Sequence, residues 1–299
     1  MGSIYIGISG WRYPPWRGVF YPKKLTQARE LEFASRAVRS IEINGSFYSL
    51  QRPASYAAWY KATPPNFVFS GKGNRYITHI LRLRDIEKPL ANFFASGVFN
   101  LREKLGPFLW QFPPSFRYAP EQLEIFLSLL PRDTQQALQL ARKCEPHMEG
   151  RVSLAIDQNR KLRHAMEIRN TSFIDATFVS LLRKYQVALV VADTAGKWPY
   201  QEDVTSDFMY LRLHGDKELY ASGYTEEALD RWASRIRAWS EGSEPDDAQR
   251  VAERSPVTSS RDVYCYFDND IKVKAPFDAR RLIDKLGVGE GLVPFTWQA

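Results

Sequence analysis

Short runs of β-branched and aromatic residues recur along the chain, and stretches with apolar residues at helical spacing, such as QARELEFASRAV and TEEALDRWASRIRAW, lie between them. The runs predict strands, because such side chains pack well on a pleated surface. Strands and helices that alternate favour a parallel sheet of the α/β class, and eight repeats predict its closure into a (β/α)8 TIM barrel. The predicted strands cover residues 4–9, 40–44, 67–72, 108–112, 165–169, 188–193, 209–214 and 263–267.

An open doubly wound sheet is the alternative architecture. It would be expected to carry a glycine-rich phosphate turn after its first strand, and GISGWRY does not match GxGxxG. Residues 118–164 are too long for one crossover and should hold two helices, the second around 134–143. Residues 240–261 are polar and rich in Ser, Pro and charge, which predicts a mobile surface loop. Neither stretch resembles a domain boundary, so residues 1–299 are expected to form one domain.

Composition narrows the class of protein. With 44% hydrophobic and 14% aromatic residues, the 299-residue chain can bury a substantial core. It has no apolar run of membrane-spanning length and no signal-like start, so we expect a cytoplasmic protein. The net charge of +7 favours an anionic partner, either a small molecule or a nucleic acid. The absence of P-loop, HExxH, GxSxG and Cys-nucleophile motifs argues against NTPases, zincin proteases and α/β-hydrolases.

Strand alternation predicts which side chains point into the barrel. In SIEINGSFY, Ile41 and Ile43 would face the helices, while Glu42 and Asn44 would point inward. The inward polar residues fall late in their strands, at the mouth where TIM-barrel active sites lie. A satisfied buried salt-bridge network is the alternative interpretation of this polar layer. The same alternation assigns to the inner side Gly7, Ser9, Ser70, Lys72, Gln111, Glu167, Arg169, Asp193, Tyr210, Arg212 and His214.

Four members of this layer are candidate catalytic residues. Acid/base chemistry at a barrel mouth can use paired carboxylates and a histidine, and the sequence offers Glu42, Glu167, Asp193 and His214. The same side chains could ligate a divalent metal, but neighbouring cations would weaken such a site. We therefore predict no resident cofactor and no metal ligands.

The remaining candidates are binding residues. Arginine and lysine at the mouth suit an anionic substrate, because the guanidinium fork grips phosphate or carboxylate in two hydrogen bonds. Aromatic side chains in the loops could stack on a sugar ring or a base. The predicted substrate-binding residues are Arg169, Arg212, Lys72, Asn44, Gln111, Tyr48, Trp11, His79 and Asn269.

Several motifs together resemble a known family. The stretches GISGWRYPPWRGVFYP, IEINGSFYSL, PNFVFSGKGNRYITH, LWQFPPSF, MEIRNTSF, YLRLHG and YCYFDND, in this order, are similar to the domain of unknown function 72 (YecE-like) family. The resemblance covers residues 4 to about 286 and implies a TIM barrel, and it implies no assigned activity. Two positions depart from the family pattern: Asn170, where His is expected, and Asp268, where Asn is expected.

These observations favour an enzyme that cleaves an anionic, phosphate-containing or nucleic-acid-derived substrate, at a phosphodiester or glycosidic bond. Glu167 would act as acid or base, Arg169 and Arg212 would hold the anion, and His214 would transfer a proton. Glu42 and Asn44 would orient the ligand. The alternatives are a non-catalytic barrel that binds an anionic metabolite or nucleic acid, and a carbohydrate-active barrel.

Overall fold

The computed structural model describes residues 1–294 and shows eight parallel strands joined in chain order into a closed barrel, as the sequence predicts. Pairing of the first strand with the eighth closes the ring. Each strand begins and ends within three residues of its predicted limits. The strands are β1 Ile4–Ser9, β2 Ser40–Ile43, β3 Val68–Lys72, β4 Leu105–Gln111, β5 His164–Glu167, β6 Ala188–Asp193, β7 Phe208–Leu213 and β8 Asp262–Phe267.

Helices lie between the strands and cover the barrel. Their starts follow local sequence signals: Thr225 caps one helix by accepting a hydrogen bond from the Ala228 amide, and Asp133 caps another through the Gln136 amide. Gly287, at a φ of 70°, ends the last helix. The helices are α1 Glu30–Ala37, α2 Gly45–Tyr48, α3 Pro53–Ala62, α4 Glu87–Ala95, α5 Pro120–Leu129, α6 Thr134–Ala141, α7 Ala176–Lys184, α8 Glu226–Ser240 and α9 Ala275–Leu286.

The two irregular stretches differ in character. Residues 118–164 hold two helices, α5 and α6. Residues 241–261 contain no helix or strand, and hydrogen bonds tie this segment at several points. The Glu244 carboxylate accepts from the Ser255 amide at 2.8 Å, and the Glu202 carboxylate accepts from the Gln249 amide at 2.8 Å. Composition alone could not have indicated these anchors.

Two apolar regions hold the barrel together. Side chains such as Ile41 and Ile43 pack outward against the helices, and a second cluster that includes Tyr210 and Tyr266 fills the barrel interior. The interior tyrosines remain hydrogen-bonded; for example, the Tyr210 hydroxyl lies 2.7 Å from Ser70 Oγ. Within residues 1–294, no helix is both long enough and apolar enough to span a bilayer.

Strand β6 corrects one prediction of side-chain direction. Ala188, Val190 and Ala192 belong to the interior cluster, so Asp193 points toward the surrounding helices and not into the barrel. Its Oδ2 accepts a hydrogen bond from the Tyr224 hydroxyl at 3.1 Å. The run ALVVAD is apolar on both faces, as in a buried parallel strand, so polarity gave no alternation to follow.

Candidate functional site

A cavity of about 810 Å³ opens at the carboxyl ends of the strands. Its wall is built from residues that end strands or follow them directly: Lys72 ends β3, Gln111 ends β4, and Arg169 and Asp268 follow β5 and β8. This is the face at which TIM barrels carry their active sites. The polar layer predicted from the sequence therefore divides into residues that face this cavity and residues that lie beneath it.

Arg212 is the centre of the buried part. Its Nη1 donates to Glu167 Oε2 at 2.6 Å, and its Nη2 donates to Glu42 Oε1 at 2.9 Å and to Asp268 Oδ2 at 2.8 Å. The Arg212 side chain is 1% exposed and does not line the cavity. The position of Arg212 does not support the expected role of holding a substrate anion, because its donors already serve three carboxylates.

Glu167 is fully buried beside Arg212. Its Oε1 also accepts from Gln111 Nε2 at 2.9 Å and from Arg169 Nε at 2.8 Å. Burial alone would raise the pKa of Glu167, but Arg169 and Arg212 hold this pKa well below its usual value. Glu167 therefore stays ionised and orients the surrounding cations.

His214 lies behind the cavity wall. Its ring is fully buried and makes edge contacts with Trp198 and Tyr220, and its Nδ1 lies 3.1 Å from Asp268 Oδ2. Because Asp268 lines the cavity and His214 does not, direct proton transfer from His214 to a bound ligand does not fit its position.

Asn269 is also placed away from the cavity. Its Nδ2 donates to the Ser222 carbonyl and to Asp278 Oδ2, each at 2.9 Å, so it fixes the segment before α8 to α9. The predicted binding role of Asn269 is therefore not supported by its position. The predicted residues that do line the cavity are Trp11, Asn44, Tyr48, Lys72, His79, Gln111 and Arg169.

Arg169 is the most constrained cation of the cavity wall. Glu167 accepts from its Nε, and its guanidinium carbon lies 3.6 Å from the centre of the Trp198 ring. Its Nη2 is 3.4 Å from the Tyr220 hydroxyl. One edge of the guanidinium is thus fixed, while the side chain still faces the cavity with 12% of its surface exposed.

Lys72 and His79 share the same wall but differ in charge. Burial and the charge of Arg212 lower the pKa of Lys72 to about 8. Burial, together with Arg169 and Lys72, lowers the pKa of His79 to about 4, so this imidazole is neutral near pH 7.

Two acidic residues of the wall were missed as site residues. Asp268 continues the inward alternation of Tyr264 and Tyr266, which could have identified it. Burial would raise the pKa of Asp268, but Arg212 and His214 keep it well below its usual value. Burial and the charge of Asp268 raise the pKa of Asp270 to about 6. The two carboxyl groups therefore differ strongly in acidity.

The placement of the acidic residues bears on whether the site could hold a metal ion. Among the residues that the structure describes, no group of three or more His, Cys, Asp or Glu side chains is placed to hold a metal ion. Glu42, Glu167 and Asp268 do converge, but on the Arg212 guanidinium. A divalent ion would have to compete with this cation for the same oxygens.

The fold and the site define a class: a single (β/α)8 barrel with a buried ion network under a cavity lined by cationic and aromatic residues. The chain belongs to the family described as Protein of unknown function DUF72, whose match covers residues 5–297. This confirms the resemblance seen in the sequence motifs.

Relatives agree with this membership. The UPF0759 protein YecE of Escherichia coli (strain K12) is 22% identical over 246 residues, which are 81% of this chain and 84% of YecE. The UPF0759 protein YunF of Bacillus subtilis is 30% identical over 118 residues, so the match spans 38% of this chain and only 41% of YunF.

Solved structures of DUF72 family proteins share the fold. One from Thermotoga maritima has a TM-score of 0.71 at 23% identity and covers 95% of this chain and 99% of its own. Another, from Enterococcus faecalis, has a TM-score of 0.68 at 18% identity, with 98% and 99% covered. At these identities the similarity establishes the barrel and leaves the activity open.

Proposed function

We propose that the protein is an enzyme that binds an anionic substrate in the cavity and cleaves it by acid/base chemistry. The observation that carries this proposal is the constrained position of Arg169, between Glu167 and Trp198. A guanidinium that is already oriented loses little conformational freedom when it binds an anion, and its planar fork matches phosphate and carboxylate groups.

The charge of the cavity wall supports an anionic ligand. Four cationic side chains line it, Arg12, Lys72, Arg75 and Arg169, against the two carboxyl groups of Asp268 and Asp270. Asp268 is already paired with Arg212 beneath the wall. The wall thus carries excess positive charge, which attracts anions and favours their binding in a partly desolvated site.

Aromatic residues of the wall support a ligand that also carries a ring. Trp11 lines the cavity and packs edge-to-face against Trp59 at 5.2 Å between ring centres, so its orientation is fixed. Tyr48 lies at the rim and is 70% exposed. Such rings can stack on a sugar or a base, so we propose a phosphate-containing or nucleic-acid-derived substrate.

Asp270 is the proposed acid/base residue, in the role that the sequence had suggested for Glu167. It lines the cavity, and its pKa of about 6 suits proton transfer near neutral pH. Burial, together with the charge of Asp268, which stays ionised beside it, keeps Asp270 partly protonated. Two carboxyl groups with pKa values pushed apart are a common arrangement for acid/base catalysis.

The test measures binding of phosphate esters, nucleotides, oligonucleotides and neutral sugars by thermal shift, followed by titration of the best ligand. Arg169→Lys keeps the charge but loses the fork, so affinity should fall about tenfold or more. Arg163→Lys is the matched control: Arg163 has a similar ion pair, with Asp262 at 2.7 Å, and a similar ring contact, with Phe208, but it precedes β5 at the opposite end of the barrel.

Arg163→Lys should leave the affinity unchanged. Equal affinity of wild type and Arg169→Lys would contradict the anion site, and so would a preference for neutral sugars that does not depend on salt. The second outcome would favour a carbohydrate-active barrel, which the aromatic wall also permits. Binding with no turnover of any ligand would favour the non-catalytic alternative.

A further inference from the structure

We propose that Lys72 is a nucleophile that forms a Schiff base with an aldehyde or ketone carbonyl of the ligand in this cavity. The inference deepens the proposed function, on which it rests for the anionic part of the ligand. It assigns to the site a covalent step and a substrate class, an anionic carbonyl compound such as an open-chain sugar phosphate.

The position of Lys72 carries the inference. It is the last residue of β3, points into the barrel, and lines the cavity although only 7% of it is exposed. Ser46 Oγ donates to the Lys72 carbonyl at 2.6 Å and fixes the backbone there. A rigid strand thus presents a buried amine to the interior of the cavity.

The amine of Lys72 contacts an aromatic ring. Within residues 1–294, no carboxylate lies within ion-pair distance of Lys72 Nζ, which instead lies 4.4 Å from the centre of the Phe47 ring. Lys104 shows the contrast: it is 4% exposed, but its Nζ donates to the carbonyls of Tyr60 and Thr63, each at 2.7 Å. The partners of Lys104 hold its ammonium in place, whereas Lys72 has no ion-pair partner among these same described residues.

Burial, together with the surrounding charges, explains why Lys72 can lose its proton. Glu42, Glu167 and Asp268 favour the ammonium, but Arg212 already binds all three and itself repels a second cation. His79 lies close enough to Lys72 that the Lys72 charge lowers the pKa of His79. The neutral His79 imidazole supplies no negative charge to Lys72. With a pKa of about 8, roughly a tenth of Lys72 is neutral amine at about pH 7, far more than for an ordinary lysine.

Schiff-base formation needs only the Lys72 amine, the carbonyl compound and a proton donor, and it releases water. The Lys72 nitrogen lone pair attacks the carbonyl carbon, a C–N bond forms, and a proton moves from nitrogen to the former carbonyl oxygen to give a carbinolamine. An acid then protonates the hydroxyl group, the C–O bond breaks, and water leaves as the nitrogen lone pair forms the iminium double bond. Asp270 is the acid available in the same cavity, since its pKa lies near 6.

Reductive trapping tests the proposal. The protein is treated with glyceraldehyde 3-phosphate and sodium borohydride, and the modified lysines are located by peptide mass spectrometry. We expect a single dominant adduct on Lys72, formed at least about ten times faster than on any exposed lysine, since these are more fully protonated. Lys104 is the internal control for a buried lysine and should remain unmodified. Lys72→Arg and Lys72→Met should lose the dominant adduct.

Two further reagents separate this proposal from the anion site. Glycerol 3-phosphate has the anion but no carbonyl, and glycolaldehyde has the carbonyl but no anion. If glycerol 3-phosphate binds and Arg169→Lys weakens its binding, but no adduct forms on Lys72, the nucleophile is refuted and the anion site stands. If glycolaldehyde labels Lys72 as fast as glyceraldehyde 3-phosphate and glycerol 3-phosphate gives no protection, the nucleophile stands and the anion site is refuted. If Lys72 of the wild-type protein is labelled no faster than the exposed lysines, the proposal is overturned. This result does not depend on whether the variants fold.

Discussion

Arg212 Nη1 and Glu167 Oε2 form a 2.6 Å ion pair in which both side chains are almost completely removed from water. Arg169 binds the other oxygen of the same carboxylate, and it remains at the cavity wall. The two arginines therefore share one carboxylate but have different surroundings, and their substitution should have different effects.

Arg212→Met should lower the free energy of unfolding by about 3–5 kcal/mol, because it leaves three buried carboxylates without their shared cation. Arg169→Met should cost clearly less, since Glu167 keeps Arg212 and Gln111 as partners. Urea denaturation of both variants gives the comparison. Equal losses of stability would contradict the division between a buried network and a cavity wall.

Asp270→Asn should stabilise the protein in a pH-dependent way. The raised pKa of about 6 means that folding disfavours the ionised form of Asp270, so its ionisation destabilises the folded state above about pH 6. This cost disappears as the pH falls below the ordinary aspartate value near 4. The variant should gain about 1 kcal/mol near pH 8, after allowance for the partial exposure of Asp270, and almost nothing near pH 4.

Asp268→Asn is the matched variant and should change the stability of the protein in the opposite direction to Asp270→Asn. The lowered pKa of Asp268 means that its ionised form stabilises the folded state above the ordinary aspartate pKa, and that this stabilisation is lost as the pH falls through the lowered pKa. Its replacement should cost roughly 3 kcal/mol near pH 7, because Arg212 loses a partner. Thermal melts of both variants across the pH range would show whether the two effects have opposite signs.

Tyr48→Ala should affect binding and leave stability unchanged. Because 70% of Tyr48 is exposed, its ring contributes little to the fold, but it lies at the rim of the cavity. Loss of a stacking contact should weaken the best ligand of the screen by about 1 kcal/mol, or roughly fivefold. Ile125→Ala, at a 61% exposed position on α5 that does not line the cavity, should change neither property.

Gly7→Ala should prevent or severely impair folding. A Cβ at Gly7 would lie 2.0 Å from the Ser40 carbonyl oxygen, which belongs to the backbone of the neighbouring strand and cannot move aside. Gly45→Ala is the control, because a Cβ there would meet only the end of the Gln51 side chain at 3.3 Å. Soluble expression and urea denaturation should separate the two; a stable Gly7→Ala protein would mean that β1 and β2 lie farther apart than described.

The sequence predicted the barrel and the direction of most inward residues, because polar and apolar side chains alternate in the strands concerned. It could not predict how deeply each inward side chain is buried. Arg169 and Arg212 both point into the barrel and have the same side chain, but only the packing of neighbouring strands buries Arg212 beneath the cavity. Alternation failed at Asp193, where β6 is apolar on both faces.

The end of β8 shows a related limit. Asn269 is among the predicted binding residues, but the inward direction of Tyr264 and Tyr266 indicates Asp268, two residues further along, as the inward-facing residue. The raised pKa of Asp270 could not be predicted at all, because it depends on burial and on the distance to another carboxylate.

The Arg212 guanidinium makes hydrogen bonds that connect strands from several parts of the barrel. From β7 it donates to Ser9 at the end of β1, to Glu42 on β2, to Glu167 at the end of β5 and to Asp268 after β8. These strand ends form the floor of the cavity and are held in place before any ligand binds. The floor therefore loses little further conformational entropy on binding. Selectivity among ligands should then reside in the loops above this floor, which can change in sequence while the floor keeps its shape.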